Sequence, residues 1–147
     1  KIYYATVIEE ADKGNDAILP LLAQYKNPND RQRINKLLKD NLKKAGACSY
    51  EACDAISNWN DPAFEWYAKA ACQATIKQEY YYACDILHLL CAYPAPWSYQ
   101  ILKKLLTQKG DYSNSDIAKD YLTELYKTRP VPPIFKPLYD RYVARKK

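Results

Sequence analysis

Only three of the 147 residues are glycine, and Gly14, Gly46 and Gly110 all fall on one period of 32. Glycine adopts left-handed backbone freely, so it ends helices and leads into tight turns. Glycines on one period therefore predict short helices joined at regular intervals. The empty slot of the period is Gln78, where Gln78-Glu79-Tyr80 echoes Gly110-Asp111-Tyr112. A second echo runs at 31 residues. Tyr50-Glu51-Ala52-Cys53-Asp54-Ala55-Ile56 returns as Tyr81-Tyr82-Ala83-Cys84-Asp85-Ile86-Leu87, with Ala-Cys-Asp expected at the same place in each second helix.

The local signals agree with helices. No clean alternation of apolar and polar residues appears, and no Asn-Gly or Asp-Gly hairpin turn. Helices are expected over 2–13, 16–25, from Asp30 to just before Gly46, and from a Ser49 cap to Trp59. Asp61-Pro62 is a strong start signal, an acceptor at the cap followed by proline at the first helical position. That helix is expected to reach Lys77. Further helices are expected over 80–92, 97–108 and from a Ser115 cap to Thr128. Small residues such as Ala52, Ala70, Ala71 and Ala83 allow close helix approach.

A period of 31–34 residues with two helices per unit marks a stack of helical hairpins. The segment Glu10-Ala11-Asp12-Lys13-Gly14-Asn15-Asp16-Ala17, followed by Leu22-Ala23-Gln24-Tyr25, resembles the turn and second helix of Sel1-like repeats. Phe64-Glu65-Trp66-Tyr67-Ala68-Lys69-Ala70-Ala71 resembles their first helix. Gln108-Lys109-Gly110-Asp111 with Tyr121-Leu122 and Leu125-Tyr126 follows the same pattern. The chain thus resembles the Sel1-like and tetratricopeptide-like helical repeat families over about four degenerate units. It departs from them in lacking the usual Leu-Gly of the second helix and the glycine of the third turn. The expected fold class is all-α: stacked antiparallel helix hairpins, as a short α-solenoid or an irregular bundle. Residues 1–147 are read as one helical domain, with hairpins in 1–128, a proline-rich connector over 129–137 and a C-terminal helix over 138–147.

The scarcity of Gly and His removes several chemistries. No phosphate-cradling glycine loop and no nucleophile elbow can be written. Zinc ligation is not expected, because there is no C-x-x-C pair and His88 is the single histidine. Cys84, His88 and Cys91 share one helix, but nothing there supplies a low-pKa thiolate or an oxyanion site. The acidic groups Glu9-Glu10, Asp54, Asp85 and Asp120 with Glu124 read as solvated faces. No catalytic residue, metal site or cofactor is assigned.

All five cysteines lie between Cys48 and Cys91. An antiparallel hairpin would bring Cys72 and Cys84 together, and that disulfide is the expected one. It closes a loop worth roughly 3 kcal/mol in the chain-entropy account. Cys48 and Cys53 can close a smaller loop at a helix start. The chain has no Met, even at position 1. Clustered cysteines and what reads as a trimmed start lead to the expectation of a periplasmic or secreted protein whose leader has been removed.

Tyrosine outnumbers phenylalanine 15 to 2, so many aromatic rings need one wet edge. The expected partner-binding residues are Tyr80, Tyr81, Tyr93, Trp97 and Tyr99, with Pro94-Ala95-Pro96-Trp97 as a rigid, aromatic-tipped connector. Arg141, Arg145, Lys146 and Lys147 supply +4 of the net charge of +5. The function expected is a non-catalytic protein–protein interaction domain, such as an adaptor or a toxin-neutralising immunity-type protein. The alternative is an RNA-binding or other nucleic-acid-binding helical repeat. No stretch is apolar enough for a membrane span.

Overall fold

The computed structural model of the chain describes residues 2–109 and 114–144. It is all-α, with no strand among the described residues. Gly110, Asp111 and Tyr112, and the basic residues Arg145, Lys146 and Lys147, lie outside the described residues. The chain divides into two compact units, Lys1–Glu79 and Tyr80–Lys147.

The first unit holds α1 (Ile2–Asp12), α2 (Leu19–Gln24), α3 (Arg31–Ala45), α4 (Tyr50–Trp59) and α5 (Glu65–Ile76). Its helices pack next-but-one as well as in sequence: α2 packs on α4, and α3 touches both α1 and α5. The helix starts are built by side-chain caps, with one shift: Asp30, where α3 was expected to begin, makes no capping bond, and Asn27 caps the turn ahead of it. Asn27 Oδ1 accepts the Asn29 N–H at 3.0 Å and Asp61 Oδ1 accepts the Ala63 N–H at 2.8 Å. Each is followed by a proline and a short 3-10 turn, over Pro28–Asp30 and Pro62–Phe64, that feeds the α-helix. Pro20 is tolerated because it stands in the first turn of α2, where its missing N–H costs nothing. Gly46 ends α3 in the left-handed region at φ 67°, and Gly14 turns the chain after α1 at φ 85°. At the third slot of that period the left-handed turn is absent: Lys77 caps α5 in helical conformation and Gln78 donates to the Thr75 carbonyl.

The second unit holds α6 (Cys84–Ala92), α7 (Pro96–Thr107), α8 (Asn114–Leu125) and a last helical stretch. That stretch runs from a 3-10 turn at Pro133–Phe135 through α9 (Lys136–Leu138) into a π turn over Tyr139–Val143. The three longer helices contact one another pairwise, and the π turn packs on α8. Ala95 offers no side-chain acceptor before Pro96. Ser98 reaches back instead, accepting the Ala95 N–H at 2.8 Å and donating to the Tyr93 carbonyl at 2.7 Å.

Two expectations are corrected here. Helix α6 starts at Cys84, not Tyr80. The Tyr81 carbonyl and the Ala83 N–H are both bonded to the side chain of Asn114, which takes the place of a first helical turn. The Ala-Cys-Asp echo therefore occupies different places: third to fifth positions of α4, but the cap and first two positions of α6. The spacing that the buried side chains do follow is 34 residues. Ile34, Leu37 and Leu38 of α3 are matched by Ala68, Ala71 and Cys72 of α5, and by Leu102, Leu105 and Leu106 of α7. Ala52, Cys53, Ala55 and Ile56 of α4 are matched by Ile86, Leu87, Leu89 and Leu90 of α6. Pro28, Pro62 and Pro96 mark the same spacing at the helix starts.

Polar groups tie the first unit together. Asn41 is buried; its Nδ2 donates to Asp16 Oδ2 at 2.8 Å, and its Oδ1 accepts from Ser49 Oγ at 2.8 Å and Tyr67 Oη at 3.1 Å. Asp30, also buried, accepts from the Tyr4 hydroxyl and, at 2.6 Å, from Arg33. Arg31 reaches Asp61 at 2.6 Å and holds that carboxyl below the ordinary range; Asn41 does the same for Asp16.

A carboxyl with a lowered folded pKa adds stability that is present above its unfolded value, about 3.9, and is lost as pH falls through the folded value. The urea midpoint is therefore expected to fall steeply between about pH 5 and pH 3. In Asp61→Asn, which keeps a capping oxygen but no charge, the midpoint is lower at pH 7 and the acid slope shallower, as a pH series of urea melts reads directly.

Candidate interaction surface

The non-helical segment before α6 is fixed at three points. Asn114 Oδ1 accepts the Ala83 N–H at 2.9 Å, Asn114 Nδ2 donates to the Tyr81 carbonyl at 3.3 Å, and Gln108 Nε2 donates to the Tyr81 hydroxyl at 2.9 Å. Asn114 opens α8 and Gln108 follows α7, so two helices hold one short strap. Tyr81 is half-buried by this anchoring. Its neighbours Tyr80 and Tyr82 stand 85% and 69% exposed. The result is a pair of large aromatic rings facing solvent from backbone that is held by side chains.

The other expected contact residues fall into two classes. Tyr93 is only 6% exposed and belongs to the core, because the chain turns inward where Ser98 bonds its carbonyl. Little of the ring that was expected to meet a partner is open on this surface. Trp97 and Tyr99 sit half-buried in the first turn of α7. In the first unit, Tyr3, part of the dense Tyr3-Tyr4 pair in the sequence, and Tyr50, which was not singled out, are strongly exposed. Trp66 is also exposed but spends its Nε1–H on Asn35 Oδ1 at 2.7 Å. The signal for Tyr50 was available: it follows the Ser49 cap, and a first-turn residue ahead of the buried Ala52 and Cys53 points outward.

Of the two expected cysteine pairings, one holds and one is corrected. Cys48 and Cys53 are bridged, with Cα atoms 6.6 Å apart, whereas Cys72 and Cys84 are free thiols. Cys72 is on the buried stripe of α5, and Cys84 is exposed at the start of α6, so the two do not form the anticipated hairpin bridge. Burial pushes the Cys91 thiol up to about 11, the opposite of what a nucleophile needs. His88, on the same helix, is half-buried.

A cleft of about 420 Å³ lies between α1 and α3 in the first unit, lined by Asp12, Lys13, Gln32, Arg33, Lys36 and Asp40 among others. Two of its cations are paired: Arg33 with Asp12 and Asp30, and Lys13 with Glu9 and Glu10. Among the described residues no group of three His, Cys, Asp or Glu side chains is placed to hold a metal ion. No described helix is long and apolar enough to cross a membrane. Residues 1–79 carry 11 basic and 11 acidic side chains, so the entire net charge of +5 falls in residues 80–147.

Removing the anchor tests the arrangement. Asn114→Ala breaks two hydrogen bonds and is expected to cost about 1–3 kcal/mol. Cleavage by chymotrypsin after Tyr80 and Tyr82 should then rise about tenfold, since the strap opens without global unfolding. An unchanged cleavage rate contradicts the anchoring role. Compared with known proteins, the chain matches no family model, no curated protein and no solved structure.

Proposed function

We propose that this protein is a non-catalytic helical-repeat domain that binds another protein in an oxidising compartment, as a secreted or periplasmic adaptor or immunity-type protein does. The observation that carries the reading is the pair Tyr80 and Tyr82, exposed on a strap that Asn114 and Gln108 hold still. Exposed tyrosines beside anchored backbone lose less conformational entropy on binding, and tyrosine is enriched among the residues that dominate binding energy at interfaces. The 34-residue spacing of Pro28, Pro62 and Pro96, and of the buried stripes, supports the repeat reading. The Cys48–Cys53 bridge supports the compartment.

The test is quantitative capture from the source cells and their surrounding fluid, comparing the parent chain with Tyr80→Ala/Tyr82→Ala and with Tyr3→Ala. Two hot-spot rings at about 2 kcal/mol each predict that the double variant loses its protein partner by well over 30-fold. Tyr3→Ala should retain it. Equal capture by all three removes the site. Partners lost on nuclease treatment instead of on tyrosine substitution favour nucleic acid, in keeping with the +5 of residues 80–147.

A further inference from the structure

The Cys48–Cys53 bridge stands at a defined place in helix geometry. Ser49 is the N-cap of α4, so Cys48 is the residue before the cap and Cys53 the fourth residue of the helix. These are the two positions that meet in a hydrophobic staple. The bridge is thus a covalent staple on the first turn of α4. The cap it encloses is long: Ser49 Oγ accepts the Ala52 N–H at 3.4 Å while donating to Asn41 Oδ1 at 2.8 Å. The Cys48 N–H donates to Thr75 Oγ1 at 3.1 Å. The loop therefore meets α3 through Asn41 and α5 through Thr75. Tyr50, inside the loop, is 80% exposed.

We propose that the Cys48–Cys53 pair is a reversible redox switch, which locks the first turn of α4 when oxidised and frees it when reduced. Cys53 is buried and Cys48 is half-buried, so Cys48 is the sulfur open to attack. One thiolate of a dithiol reductant attacks Cys48 Sγ; the S–S bond breaks, and its electron pair leaves on Cys53 Sγ, which takes up a proton. The reductant's second thiolate then displaces Cys48 Sγ, which is protonated in turn. The dithiol departs as a disulfide, oxidised by two electrons. Both states keep the fold, because two thiols at these positions still pack as a staple and Asn41 keeps its bonds to Asp16 and Tyr67, outside the loop. Cys72, one turn from Thr75, does not compete for the bond: desolvation holds its thiol far above the ordinary value, as a poor nucleophile.

Amide hydrogen exchange on the full chain, read by mass spectrometry, tests the switch in three samples: air-oxidised, reduced with dithiothreitol, and Cys48→Ala/Cys53→Ala. A non-reducing peptide map assigns the bridge in the first. Reduction is expected to speed exchange in residues 50–56 about tenfold, with residues 65–76 unchanged and reoxidation restoring protection. The double variant should match the reduced sample. Equal exchange in the oxidised and reduced samples, loss of protection across 65–76 as well, or a map placing Cys48 or Cys53 in another bridge overturns the proposal.

Discussion

Each helix can bury only one stripe, and from α3 to α7 the stripes recur at fixed positions 34 residues apart. That constraint decides the rest. In the first unit α3 presents Ile34, Leu37 and Leu38 while α5, which it touches, presents Ala68, Ala71 and Cys72. Large side chains on one helix are matched by small ones on the next, which fills space at short helix separation without voids. Replacing α5's alanines by leucines would overpack the same register, a change that generally costs 1–3 kcal/mol per site.

The buried polar positions follow the same register and do a different job. Asn41 and Thr75 are 34 apart, both are buried, and both bond the junction before α4: Asn41 through Ser49 Oγ, Thr75 through the Cys48 N–H. Asn114 does comparable work in the second unit, bonding the junction before α6. Helix starts leave orphan N–H groups, and each of these side chains satisfies backbone or cap atoms that helix geometry leaves over. A junction held in this way can carry exposed rings, and both do: Tyr50 in one, Tyr80 and Tyr82 in the other.

Much of this was legible in the sequence. Asp61-Pro62, Ser49 and Gly46 mark helix ends by local chemistry alone, and all three act where expected. The period was only partly legible. Glycines at 14 and 46 do turn left-handed, but their spacing of 32 is not the packing register, since turn lengths vary while helix stripes do not. The prolines at 28, 62 and 96 carried the true spacing in plain view. The burial register itself was hidden, because Ile34, Ala68 and Leu102 share a place but not a size. The start of α6, the Cys72–Cys84 pairing and the exposure of Tyr93 were misread for one reason. Each depends on tertiary bonds, from Asn114 or Ser98 or the packing of α5, that local pattern does not contain. Tyr80, Tyr81 and Tyr82 stand out in the sequence as a dense aromatic place, but only the bonds from Asn114 and Gln108 separate the anchored ring from the exposed ones.

The central claim is that the strap carrying Tyr80 and Tyr82 is ordered in the free protein although it is not helical. Backbone ¹⁵N relaxation measures this directly. Residues 81–83 are expected to show order parameters near 0.8, like those of α6 and α7, because side-chain bonds hold Tyr81 and Ala83 on either side of Tyr82. Values below about 0.6 would mean a loose linker, and the account of a prearranged aromatic surface would be wrong.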